Sequence, residues 1–190
     1  AHCGKHFPGH GHVRADSHVD IPIDKRSLRA ILRSDAQPYP WLMPTLMAVM
    51  PAHVIYAQVD ERPAGFSPRW LQEILRGELG FTGAIISDDL SMQGARQLYG
   101  KPLSLSVAVL TALGAGCDLA LVCNQSLDGG KALDGLLDEM SEAAVKGRWQ
   151  PQEASELRRR ALLPVAPAWA WDDLMCAPQY MQALETLSLL

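Results

Sequence analysis

Apolar residues along this chain collect in short unbroken runs instead of alternating with polar ones. Residues 46–50, 83–87 and 117–123 form three such runs, and a fourth is cramped at the N-terminus before Lys5. Continuous hydrophobicity over four to eight residues is the mark of strands covered on both faces, as in parallel sheets. Segments of helical character lie between the runs. Ser67 followed by Pro68 gives a capping residue with proline at the first helical position. From there Leu71, Ile74, Leu75 and Leu79 share one face, and Gly80 predicts the end. A second helix is predicted over 103–113, closed by Gly114. Strand and helix recur about every 35 residues, which predicts βαβ units and a parallel sheet.

Beyond Asn124 the pattern is helical throughout. Segments 131–145, 152–163 and 172–189 are separated by Gly147, Pro151, Pro164 and Pro167. The run Arg158-Arg159-Arg160 next to Leu157 reads as a solvated helix face. The chain therefore divides into an α/β part, residues 1–124, and helices of the same domain, residues 125–190.

Composition narrows the function classes. The chain has 190 residues, 48% of them apolar and 20% charged, the balance of one soluble globular domain. A net charge of −4 gives no footprint for nucleic acid or an anionic membrane, and neither is expected as a partner. No apolar stretch approaches the ~20 residues that span a bilayer. The first residues, Ala1 to His6, lack the apolar core of a secretory signal. Cys3, Cys117, Cys123 and Cys176 form no CxxC pair, which fits reduced thiols and a cytoplasmic protein.

The chemistry-bearing residues follow the predicted strands. Lys5, His6, His10 and His12, with Asp16 and His18 beyond them, follow the first; His53 follows the second; Asp88 and Asp89 follow the third. The carboxyl ends of parallel strands are where α/β proteins build active sites. Histidines spaced HxxxHxH on a Gly/Pro-rich loop are a weak metal signature, and no metal or other cofactor is expected. The five tryptophans are too dispersed for a sugar-stacking platform.

The segments KHFPGHG, ADSH, MPAHVIY, SPRWLQEILRGELGF and SDDLSM, in this order, resemble the cytoplasmic β-N-acetylglucosaminidases of glycoside hydrolase family 3, the bacterial β-hexosaminidases of peptidoglycan recycling. The likeness covers about residues 4–124. It implies an α/β fold, the C-terminal half of a (β/α)8 TIM barrel with about four parallel strands and extra C-terminal helices. It also implies a retaining glycosidase whose nucleophile is Asp88, whose general acid/base is His18 and whose supporting dyad partner is Asp16. Lys5 and His6 are implied to bind sugar hydroxyls. His53, which reads as a histidine near the site floor, and Met92, which packs near the sugar, complete the substrate-binding set.

Elementary chemistry is consistent with these roles. Retaining hydrolysis needs a carboxylate to form a glycosyl ester and a second group to protonate the leaving oxygen and then deprotonate water. A histidine, with a reference pKa of about 6.5, can serve as that second group. Gly9 and Gly11 would let the loop adopt backbone angles that other residues resist. Asp88 and Asp89 each also suit a helix cap, and Asp89 is read that way.

A complete barrel takes about 250 residues and eight strands, so an amino-terminal half is expected to be missing here. Its absence would leave sheet edges open to self-association or to a partner supplying that half. Three readings remain: a hydrolase releasing GlcNAc from muropeptides, a glycoside phosphorylase, and a non-catalytic or partner-dependent half-barrel.

Overall fold

The computed structural model describes residues 2–15, 21–125, 127 and 129–187. Strands β1 (Cys3–Phe7), β3 (Ala48–Pro51) and β5 (Ala84–Ile85) form a parallel sheet in the order β1-β3-β5. Cys3 pairs with Ala48 and Ala48 with Ala84, so the strands begin at one level. The first strand does not stop before Lys5. It runs through Phe7, which makes Lys5 and His6 strand residues, with a register shift between Lys5 and Phe7.

The run at 117–123 joins the sheet by a single parallel bridge, Ile86 to Leu119. Beyond it side chains share the pairing with the backbone, where Leu90 N donates to Leu121 O at 2.9 Å. Ser87 N donates to Leu119 O, but Leu121 N donates to Ser87 Oγ (2.9 Å) and Cys123 N to Asp89 Oδ1 (3.0 Å). Short pairs flank the sheet: β2 (Ile23–Asp24) parallel to β4 (Ile55–Tyr56), and a hairpin of β6 (Gln97–Leu98) with β7 (Lys101–Pro102). The hairpin turns on Tyr99 and Gly100, both at positive φ, as a tight two-residue connection requires.

The helix after Ser67 is of π type over Arg69–Glu78, with Leu79 N bonded to Ile74 O at 2.8 Å. Ser67 Oγ accepts from Trp70 N at its start. Trp70, Leu71, Ile74 and Leu75 are buried beneath it. Trp70 meets Tyr56 and Phe7 edge-on, with ring centroids 5.0 and 5.8 Å apart. This aromatic cluster fixes the loops after β1 and β4 to the same helix.

Helices α1 (Leu28–Arg33) and α2 (Pro38–Leu42) lie between β2 and β3. Helix α3 (Leu105–Ala115) begins two residues later than the sequence suggests, with Ser104 Oγ capping Val107 N. It passes through Gly114 and stops at Gly116, whose φ of 118° ends the helix. Helices α4 (Lys131–Val145) and α5 (Glu153–Arg160) follow. The helix expected over 172–189 is two, α6 (Trp171–Met175) and α7 (Pro178–Leu187), because Pro178 has no N–H to continue the first. Among the described residues no helix is long and apolar enough to cross a membrane.

The arginine run on α5 is not a solvated face. Arg158 bonds both oxygens of buried Asp118, Arg159 reaches the Asp118 carbonyl, and only Arg160 stays at the surface beside Glu156. Asp118 also takes Arg76 at 2.9 Å and Ile85 N at 2.8 Å. One buried carboxylate thereby ties α5, the π-helix and β5 together at the end of the sheet where these strands begin.

Candidate functional site

The opposite, carboxyl ends of β1, β3 and β5 gather the polar residues that follow them. At the end of β5 Asp88 presents its carboxylate with 14% of the side chain exposed. Its Oδ1 accepts from Asp89 N at 2.8 Å, and its Oδ2 lies 3.6 Å from His6 Nε2 on β1. Lys5, the preceding residue on β1, is exposed, and Met92 beyond Asp89 is half-buried. His6 also meets His10 of the following loop edge-on, with ring centroids 6.5 Å apart.

His53, just beyond β3, has no exposed surface. Its Nε2 lies 3.0 Å from the Asp89 carbonyl oxygen. A carbonyl only accepts, so the hydrogen is assigned to Nε2. Burial pushes the imidazole pKa down, while the charges of Asp88 and Asp89 pull the other way. The ring rests against Phe66, and its Nδ1 is buried with no hydrogen-bond partner.

Asp89 does not cap a helix. It closes a turn, accepting from Ser91 N (2.9 Å), Ser91 Oγ (2.7 Å) and Cys123 N. Burial alone would raise its pKa, but these donors hold the carboxyl below the usual range. Two neighbouring aspartates thus have different surroundings, one bound to its own turn and the other facing outward.

The glycine-rich loop after β1 is held from below. Tyr56 donates to Gly9 O at 2.7 Å. Of the two loop glycines only Gly9 has positive φ, and a side chain there would come within 2.2 Å of Asp35 Cβ. Asp35 is fixed by Arg26 (2.6 Å), which also binds buried Asp24 (2.6 Å). A cleft of about 290 Å³ opens beside Lys5, His6, His10, Asp35 and Tyr39. Asp16 and His18 lie outside the described residues.

The structure brings together Lys5, His6, His53, Asp88 and Met92 from the residues singled out in the sequence. Arg26, Asp24, Asp35, Tyr56 and Ser91, which support the loop and the turn, were not singled out. Of these Ser91 lies inside the motif SDDLSM and Tyr56 closes the motif MPAHVIY. The others are ordinary polar residues until the fold brings them under the loop.

Comparison with known proteins bears directly on this arrangement. The family description "Glycosyl hydrolase family 3 N terminal domain" matches residues 1–157. A β-hexosaminidase of Pseudomonas aeruginosa is 59% identical over 187 residues, covering 98% of this chain and 51% of that protein. A β-hexosaminidase of Bordetella avium is 48% identical, covering 96% and 48%. The crystal structure of NagZ from Neisseria gonorrhoeae in complex with N-trifluoroacetyl-D-glucosamine superposes with a TM-score of 0.74 at 38% identity, covering 95% of this chain and 48% of that one. The chain spans about half the length of the curated relatives it matches. With the family pattern running through most of its length, over the parallel sheet that carries Lys5, His6 and Asp88, the chain belongs to glycosyl hydrolase family 3.

Proposed function

We propose that this chain carries the reacting groups of a retaining exo-β-N-acetylglucosaminidase that removes terminal GlcNAc from peptidoglycan fragments in the bacterial cytoplasm. The observation that carries the reading is the division between the two aspartates. Asp89 is consumed by its turn, whereas Asp88 Oδ2 faces the site 3.6 Å from His6. In the first step an Asp88 oxygen bonds to the anomeric carbon as the glycosidic C–O bond breaks, and His18 gives its proton to the leaving oxygen. In the second, His18 takes a proton from water, whose oxygen attacks the same carbon and releases Asp88. Lys5 and His6 hold sugar hydroxyls, Met92 packs near the ring, Asp16 supports the His18 imidazole, and His53 forms the floor under the nucleophile turn.

In this reading residues 1–124 form the C-terminal half of a (β/α)8 barrel with about four strands, and residues 125–190 close it as helices. The relatives are about twice this chain's length; in this reading the remainder supplies the further strands, and turnover requires it, on the same chain or in trans. Without it the free edge of β1 drives self-association, visible as concentration-dependent sedimentation.

The test is to trap the enzyme, with the amino-terminal half of its relatives supplied, using a 5-fluoro β-N-acetylglucosaminyl fluoride. Fluorine slows both steps and lets the glycosyl ester accumulate. Mass spectrometry should place the label on the peptide containing Asp88. A label on another residue overturns the assignment, and a glycosyl phosphate formed when phosphate is added makes the enzyme a phosphorylase.

A further inference from the structure

We propose that His53 and Asp89 act together as positioning residues that fix the Asp88 carboxylate, leaving Oδ2 as the oxygen that attacks the sugar. The inference rests on Asp88 being the nucleophile.

Every polar atom of Asp89 is hydrogen-bonded. Its Oδ1 accepts from Ser91 N and Cys123 N and its Oδ2 from Ser91 Oγ. Its carbonyl accepts from His53 Nε2 at 3.0 Å and from Met92 N at 3.2 Å. Its N–H donates to Asp88 Oδ1 at 2.8 Å. Contacts on both sides of its Cα therefore fix φ and ψ, and with them the direction of that N–H. The N–H in turn sets the rotation of the Asp88 carboxylate. Oδ1 is held by the backbone, and Oδ2 points to His6 without a close hydrogen bond, at 3.6 Å.

His53 supplies the contact that comes from the neighbouring strand. Its seat is apolar, beside Gly65 and Phe66. A buried imidazole there leaves Nδ1 without a partner among the described residues, an unfavourable arrangement for a buried polar nitrogen. A leucine would fill the space without that cost. What the histidine adds is one N–H aimed at the Asp89 carbonyl. With no exposed surface, the ring does not meet a sugar directly. The charged or titratable groups acting on it are Asp88 and Asp89 on the turn after β5 and His6 on β1.

The experiment compares His53→Leu, His53→Gln and Asp88→Asn in the chain assembled with the amino-terminal half of its relatives, on an aryl β-N-acetylglucosaminide. Misplacing a reacting group by a fraction of an ångström should lower kcat about 10- to 100-fold in His53→Leu, with KM within about twofold of wild type. Gln places an amide N–H near the Nε2 position, so His53→Gln should recover most of kcat with an unchanged pH profile. Three results overturn the proposal: wild-type kcat in His53→Leu, a raised KM at constant kcat in both variants, or a displaced pH limb in His53→Gln. If His53→Leu fails to fold, ¹⁵N spectra of the ring in the 190-residue chain decide. They should give the neutral Nε2–H tautomer at neutral pH, and an Nδ1–H or charged ring there overturns the proposal. Full turnover in Asp88→Asn would instead remove the nucleophile assignment itself, an outcome distinct from normal kcat in His53→Leu beside an inactive Asp88→Asn.

Discussion

Arg158 closes on Asp118 across 40 residues of chain, with Nη2 2.7 Å from Oδ1 and Nε within 3.0 Å of both carboxylate oxygens. Burial would raise the Asp118 pKa, but Arg158, the Ile85 N–H and Ser155 hold it below its ordinary value of 3.8. Replacing it by asparagine keeps the shape and leaves two guanidinium groups facing each other. Removing one member of a buried pair costs about 3–5 kcal/mol, and partial exposure of the arginines puts Asp118→Asn near 3 kcal/mol, at the low end of that range. The measurement is the denaturant midpoint, with an unchanged slope. Because the folded-state pKa is depressed, wild-type stability from this group is present above pH 3.8 and is lost as pH falls below it.

His53 gives a second pH dependence, at a higher pH. Its folded-state pKa is lowered from 6.5, so below that value the unfolded chain binds a proton that the folded chain resists. Its contribution is present above 6.5 and is lost as pH falls. Urea midpoints taken between about pH 7.5 and about pH 5 should therefore drop more steeply for wild type than for His53→Gln. Parallel slopes would mean that the buried ring takes up a proton without cost.

The two loop glycines should respond differently to alanine. At Gly9 a Cβ meets Asp35 Cβ at 2.2 Å and φ is +154°. Gly9→Ala should cost roughly 1–3 kcal/mol from backbone strain and disturb the loop that Tyr56 anchors. At Gly11 the nearest atom is 3.7 Å away, and Gly11→Ala should leave the melting temperature unchanged. Thermal unfolding of the two variants side by side checks the contrast.

If His18 protonates the leaving group, His18→Ala should slow a natural GlcNAc linkage far more than an activated aryl glycoside in the glycosylation step. Asp16→Asn should show a milder loss with a shifted acid limb. The rate plotted against leaving-group pKa decides, and equal slowing of both substrate types rules His18 out as the acid.

The short continuous runs at 46–50 and 83–87 were legible as strands because burial on both faces leaves a mark in the sequence. The run at 117–123 was equally visible, yet it pairs regularly only at Leu119, because Ser87 Oγ and Asp89 Oδ1 accept where backbone carbonyls would otherwise serve. Strands of two residues, such as Ile23–Asp24 and Ile55–Tyr56, cannot show a period at all. Lys5, His6 and Asp88 were legible through their motifs. The supports of the site were not, because Arg26 and Tyr56 act only through distances that folding creates. Arg158 misled for the same reason: an arginine triplet on a helix looks solvated until the buried aspartate it meets is known.

The side-chain pairing between β5 and the segment after α3 also works as a counting device. Ser87 and Asp89, two residues apart, point to the same side of an extended chain and read Leu121 and Cys123, which have the same spacing. Asp88, the odd position between them, leaves the chain on the other side. Inserting one residue after Ser87 would hand the Cys123 amide to the aspartate now at 88 and turn its neighbour outward. The chain would keep two adjacent carboxylates in the same neighbourhood, with their duties exchanged.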